Sequence, residues 1–513
     1  MSRTTPRRQS SSTRSRRDSQ GTGRRSGASS RTTRSASRST RGRRTGSDTP
    51  VKSRAYTTSE SRILDFLAAI PAFIVIVITL REIFLAVTDS AMKSEQYTTF
   101  PELFEFGNFV IILVGILYVV LSNMVPTKKK PLLQRNPEFL FFGCFLILMA
   151  LSTLINGIDD KAIHGLPYRN QGIFHFAFYI LIYYFVSSKI KIQQLRKMML
   201  LSFLFTADAL AITAIGHQFF INIAAYSGKK GLSAIFFNSN HYGYFLAMAL
   251  MVGITAYIVG DRVWVRDFGF LSGMLNMFVL FLNNTFGAIL GAFASLILVL
   301  VLALIKLPKS RWRAVSVASL IVALPLAGGI LLNAQFDNFV VLIHDIGKIL
   351  SGSSSAASAG TNRWGQWVKA VQYIQEKPLL GYGCEGASKR MMSEINISNP
   401  HNELLTYALF FGVPAAVCYT IGILMIFLRH LVGKAWKDPY ALMAFSAAFA
   451  YFISSLFGVA MFYTTPFFFI MLGYSSNPGK TSRSRKQSGT SSRRSSRTRS
   501  RSSGRTSRST YRS

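Results

Sequence analysis

The sequence predicts an all-α, polytopic integral membrane protein of about twelve transmembrane helices, with one long extracytoplasmic loop and disordered basic tails. Three observations carry that expectation. Hydrophobic residues make up 49% of the 513 and mean hydropathy is positive, yet the formal net charge is +36, a pairing that ordinary soluble globules do not show. The charge is segregated: residues 1–54 hold 15 Arg and one Lys against two Asp, and residues 480–513 hold ten Arg and two Lys with no acid. Between the tails, apolar stretches of about 17 to 25 residues recur, the length a helix needs to cross roughly 30 Å of hydrocarbon.

The chain therefore divides into a tail over 1–54, a membrane domain over 55–476 with a large outer loop at 334–401, and a second tail over 477–513. The tails are built from Ser, Arg, Thr and Gly and hold too little apolar surface to offset the entropy of ordering. Spans are expected near 63–88, 107–125, 138–156, 173–188, 197–216, 241–260, 268–283, 286–306, 313–333, 402–428, 439–457 and 459–475. Basic connections at 127–135, 188–197, 261–267, 306–313 and 428–438 alternate with less basic ones. Counting positive charge on the inner side puts both termini in the cytoplasm, as an even number of spans requires.

Some 60 polar residues precede the first apolar run, so no cleavable signal peptide is expected. Three cysteines, Cys144, Cys384 and Cys418, give neither a disulfide framework nor metal-type spacing. No phosphate-binding Gly loop, Ser nucleophile elbow or 20–50-residue repeat is present. Charges inside the spans are few; Asp65, Arg81, Glu82 and Asp208, the main ones, are read as lying near span ends or able to shift to one. That scarcity argues against ion-coupled transport.

The polar chemistry gathers in loops expected on the outer face: 157–172, 217–240 and 334–401. Within the last, TNRWGQWVKAVQYIQEKP reads as an amphipathic helix with Trp364, Trp367, Val368, Val371 and Ile374 at apolar spacing. Thr361 or Asn362 caps its start and Lys377-Pro378 stops it. Two tryptophans suit a helix lying in the membrane interface, with Arg363 at headgroup depth. Further on, SNPHNELL presents Asn399 as N-cap and Pro400 as first helical residue, placing His401, Asn402 and Glu403 in the first turn of the next span. There the positive helix end favours a neutral imidazole, and open N–H groups suit a phosphate oxygen.

Plainer readings stand beside these. Asn-Pro plus Glu403 is sound capping chemistry for any helix, Arg363 suits a snorkelling charge, and the tryptophans suit membrane anchors. Arg169 in YRNQG and Lys229-Lys230 in YSGKKG read as solvated charges. Their joint placement on one face is what favours a site.

The order of NSNHYGYFLAMAL (238–250), an Asn-Asn-Thr-x-Gly turn, NRWGQWVKAVQYIQEKPLLGYG and then HNELLTYALFFGVPAA resembles the O-antigen ligase and O-antigen polymerase-like superfamily of bacterial envelope glycosyltransferases. The resemblance covers about residues 140–460 and implies a multi-pass protein of the bacterial plasma membrane. It further implies transfer of a glycan from an undecaprenyl-diphosphate carrier to a glycan, lipid or protein acceptor, without metal, cofactor or nucleotide sugar. His401 would be the base and Arg363 would hold the diphosphate. Asn402 would orient the base or a sugar hydroxyl, with Arg169, Lys229 and Lys230 as further substrate-binding candidates. One departure stands out: Thr285-Phe286-Gly287 replaces the Ser-Arg-Gly common in the family. A lipid-linked sugar flippase or a non-catalytic envelope scaffold are the competing classes. The tails lie outside the resemblance, and anionic lipid, nucleic acid or no partner at all fits their charge.

Overall fold

The structure, a computed structural model, describes residues 58–88, 136–327 and 340–476, apart from 167, 168, 170, 191, 224, 225, 228–230, 237, 342 and 361. Both expected tails, the span at 107–125, Lys229, Lys230 and the capping candidate Thr361 lie outside the described residues. Regular structure among the described residues is all helical. In order the helices used below are α1 (Thr58–Thr88), α2 (Glu138–Asn156), α3 (Ile173–Ser188), α4 (Gln193–Phe219), α5 (Ser239–Val259), α6 (Val263–Asn283) and α7 (Phe286–Lys306). They continue with α8 (Arg311–Ala327), α9 (Arg363–Glu376), α10 (Ser388–Ile395), α11 (Glu403–Phe411), α12 (Val413–Val432), α13 (Pro439–Ser455) and α14 (Thr465–Ser476).

Seven of the described helices, α1, α2, α4, α5, α6, α7 and α12, are long and apolar enough to cross a membrane, and α3 and α13 are shorter apolar helices. The chain is thus a multi-pass membrane protein. α5 is the central element, buried over nearly its whole length and packed against α6, α7 and α13. Small residues permit that approach, as they do between helices that lack a hydrophobic drive to associate in lipid. A Cβ on Gly253 of α5 would stand 2.7 Å from the Gly273 nitrogen of α6, and one on Gly291 of α7 would stand 2.4 Å from the Ala450 carbonyl oxygen of α13. Ser446 of α13 completes the core polar contacts, its backbone oxygen accepting from Ser295 at 2.7 Å and its hydroxyl meeting Thr255 at 2.9 Å.

Three expectations are corrected. The apolar run at 402–428 is two helices, α11 and α12, because Gly412 takes φ +90° and Pro414 occupies the first turn of α12. The run at 459–475 becomes helical only at Thr465. Asp208 lies in the middle of α4 and not near its end. Its carboxylate accepts from the Asn276 amide at 2.8 Å and from Ser272, both on α6, so neighbouring polar groups make a mid-helix acid tolerable.

Candidate functional site

The break between α11 and α12 leaves backbone carbonyls without helical partners, and the segment PLLGYG satisfies them. Tyr382 N donates to Leu409 O at 3.0 Å, Gly383 N to Phe410 O at 2.8 Å, and Val413 N returns a bond to Pro378 O at 2.8 Å. The two chains run so close that a Cβ on Gly412 would stand 2.1 Å from the Leu379 oxygen. Ser152 of α2 pins the crossing from the side, donating to Leu380 O at 2.5 Å and within 3.0 Å of Phe410 O. α11 is held in place at one end by this crossing.

The other end of α11 carries the NPHNE stretch, in a register different from that expected. α11 begins at Glu403, and its N-cap is Asn402, whose Oδ1 accepts from Leu405 N at 3.0 Å. Asn399 instead closes an Asx-type turn, its Oδ1 accepting from His401 N at 3.0 Å. His401 therefore precedes the helix, with φ +48° in the left-handed region that few non-glycine residues adopt. Trp367 of α9 clamps the loop by donating from Nε1 to Pro400 O at 3.0 Å. Gln366, one residue earlier, presents Oε1 3.2 Å from His401 Nδ1. With that oxygen as acceptor, Nδ1 carries the proton and Nε2 is the basic nitrogen.

Glu403 is buried by a different arrangement: Tyr407 and Tyr419 hydroxyls each donate to its Oε1 at 2.7 Å. It ties α11 to α12 and is not part of the His401 surface.

His401 opens on a cavity of about 310 Å³ shared with Arg169, His241, Asn240, Ser398 and Gly458. Asn240 and His241 come from the start of α5, which is capped by Asn238 accepting from Asn240 N at 2.8 Å. The Asn-Asn-Thr turn between α6 and α7 braces that start: Asn283 Nδ2 donates to Leu232 O at 2.6 Å and Ser239 O at 2.9 Å. His241 Nδ1 is buried with no hydrogen-bond partner among the described residues. Arg169 is only 6% exposed, which corrects its reading as a solvated charge. Its Nη1 donates to both oxygens of Glu385, at 2.9 and 3.0 Å, and its Nη2 donates to Ser398. A charge so enclosed is tolerable because it is paired.

Burial above all, with the Arg363 and Arg169 charges added to it, holds the His401 imidazole down at about 4. The expected neutral imidazole is therefore found with a different cause, since the ring is not in a helix first turn. Arg363 opens α9, as the sequence suggests, but Asn362 does not cap it: Asn362 sits at φ +68° without a side-chain cap bond. The face of α9 turned to the protein is Gln366, Ala370, Tyr373 and Ile374, whereas Val368 and Val371 are exposed. Trp367 is thus a loop clamp as well as an apolar group.

Of the residues singled out from the sequence, His401, Arg363 and Arg169 come together, Asn402 is committed by its oxygen to a helix cap, and Lys229 and Lys230 are not described. Gln366, His241, Glu385 and Ser398 were not singled out. Gln366 stands one turn after Arg363 on α9, the single spacing that hints at it. The other three depend on contacts across hundreds of residues. Among the described residues no group of three His, Cys, Asp or Glu is placed to hold a metal ion.

Residues 270–420 match the protein-family model described as O-antigen ligase. The match begins inside α6 and ends inside α12, so it contains Arg363, Gln366, His401 and Asn402 and leaves Arg169 and His241 outside. It supports membership of the O-antigen ligase-like superfamily. No curated protein matches the chain.

Proposed function

From the premise that this chain is an O-antigen ligase-like membrane glycosyltransferase, we propose that it transfers a glycan from an undecaprenyl-diphosphate carrier to an acceptor hydroxyl. The reaction takes place at the outer face of the bacterial plasma membrane, in cell-envelope polysaccharide biosynthesis. It uses neither metal nor cofactor; the acceptor is a glycan, a lipid or a protein. The membrane domain has about twelve spans with both termini cytoplasmic, which sets the NPHNE loop and α9 at the outer surface.

The observation that carries this reading is His401, with Nδ1 directed at Gln366 and Nε2 as its basic nitrogen, in a cavity that Arg169 shares and beneath the charge of Arg363. In the proposed step Nε2 accepts the proton of the acceptor hydroxyl as its oxygen bonds to the anomeric carbon. The bond from that carbon to the diphosphate oxygen breaks, and its electron pair leaves with the diphosphate. Cations fixed at the place where charge develops stabilise that departure, and Arg363 with Arg169 are placed to supply it. Two guanidinium groups near the imidazole fit the absence of an arginine at Phe286.

The reading is tested in a strain carrying His401→Ala at matched expression. Complete lipid-linked units should accumulate on the outer leaflet while surface polymer is lost. Accumulation on the inner leaflet would identify a flippase, and unchanged surface polymer would return His401 to a loop residue beside a well-capped helix.

A further inference from the structure

Gln366, the partner of His401, also lines a second concavity, a groove of about 610 Å³ between α9, residues 353–357 and residues 395–397. Its volume falls within the range of small-molecule sites. We propose that this groove is the acceptor subsite and takes a pyranose unit of the acceptor glycan, an inference that rests on the transfer reading above.

Trp364, Val368, Ile395 and Ile397 give the groove apolar surface, while Asn362 and Gln372 carry amides at it. A pyranose ring needs that combination, because it presents a face of C–H groups suited to an aromatic plane and a rim of hydroxyls suited to amide donors and acceptors. An acyl chain would use the apolar surface but make no hydrogen bond to the amides.

Charge separates the two concavities. Lys369 is the charged residue lining the groove among the described residues, and its Nζ lies 2.6 Å from Glu394 Oε2. The groove is therefore close to neutral, whereas at the His401 cavity Arg363 and Arg169, the latter even though paired with Glu385, leave a positive field at the imidazole. A diphosphate prefers the second and a neutral sugar loses nothing in the first. Gln366 links the two: it lines the groove and its Oε1 faces Nδ1 of His401, which lines the other cavity, at 3.2 Å. A sugar seated on Trp364 thus has its hydroxyls next to the residue that orients the base.

The test uses the full-length chain in lipid nanodiscs and a fluorescently end-labelled oligosaccharide released by mild acid from the host envelope. Trp364→Ala should weaken binding at least tenfold, and Trp364→Phe, which keeps a ring, should stay within about threefold. Gln372→Ala, at an exposed position whose loss leaves α9 standing, should weaken binding severalfold. His401→Ala should bind the oligosaccharide within about threefold of the wild type while transfer falls by about 10²- to 10⁴-fold. The proposal is overturned if Trp364→Ala and Gln372→Ala both leave affinity unchanged, or if the wild type fails to bind at millimolar oligosaccharide. It is equally overturned if the variants weaken binding of the purified undecaprenyl-diphosphate donor by the same factor, which would assign the groove to the donor. Transfer at the wild-type rate in His401→Ala would instead remove the catalytic reading while these titrations still report on the groove.

Discussion

α2 and α12 run antiparallel, and the two ends of the pair treat a paired arginine in different ways. At one end Arg429 meets Glu138 fork to fork, Nη1 to Oε2 at 2.8 Å and Nη2 to Oε1 at 2.7 Å, with the Tyr183 hydroxyl donating to the same carboxylate. Both oxygens and both terminal nitrogens are used, which is the geometry of a strong, closed pair. Near the other end, Arg169 spends one nitrogen on both oxygens of Glu385, turns the second toward Ser398, and lines a cavity with His401. Pairing with a buried carboxylate is common to both ends, so it marks no site by itself. What distinguishes the second is room beside the charge for another molecule and a base that shares that room.

The sharpest break in this comparison comes from His401→Ala. Loss of a positioned base typically removes 10²- to 10⁴-fold in rate, and transfer measured with purified donor should fall by that much while the protein inserts and accumulates normally. Arg363→Ala should follow with a loss of about 10²-fold in kcat/KM for the donor. Arg363→Lys should recover only part of it, since an ammonium is a point charge without the planar fork that grips two phosphate oxygens.

The pH dependence sharpens the same point. The neutral ring is the active form, so kcat/KM should stay level from neutral pH downward and fall only as the solution approaches about 4. Once the donor diphosphate offsets the two arginines, the imidazolium is less disfavoured, and the acidic limb of kcat should lie about one to two units higher. Coincident limbs in the two profiles would show that the bound donor does not face His401.

The smallest effect on transfer is expected at the closed end. Glu138→Gln should lower thermal stability in detergent by about 2 kcal/mol, less than the ~3–5 kcal/mol of a fully enclosed pair, because the Arg429 side chain is 31% exposed and hydrates when orphaned. Transfer per folded molecule should be unchanged. A specific loss of transfer in Glu138→Gln would erase the distinction between the two ends.

Much of the membrane domain is legible in the chain because apolar composition stops where the helices stop: α2, α3 and α7 have the expected ends. His401 and Arg363 were legible for the same reason, as polar groups set against apolar runs. The helix break at Gly412 was not, because Gly-Val-Pro sits inside a continuous apolar run and the PLLGYG segment that accepts the break lies some 30 residues upstream. The register of NPHNE was missed because Asn399 and Asn402 are equally good caps locally, and the clamp from Trp367 selects between them. Arg169 could not be told from a solvated charge, since Glu385, its partner, is 216 positions away.

The backbone bonds that join residues 378–383 to 409–413 also make the intervening chain a closed ring. α10, the NPHNE loop and α11 all lie within it, and both ends of the ring are fastened to each other and to α2 by hydrogen bonds that do not pass through α10. Closing such a loop costs entropy that grows only slowly with its length. The two ends of the ring are therefore fixed by bonds outside α10, while α10 itself is tied back to α9 by Arg390 on Glu376 and by Lys369 on Glu394, so the helix that carries Gln366 and Trp367 is braced from within the ring.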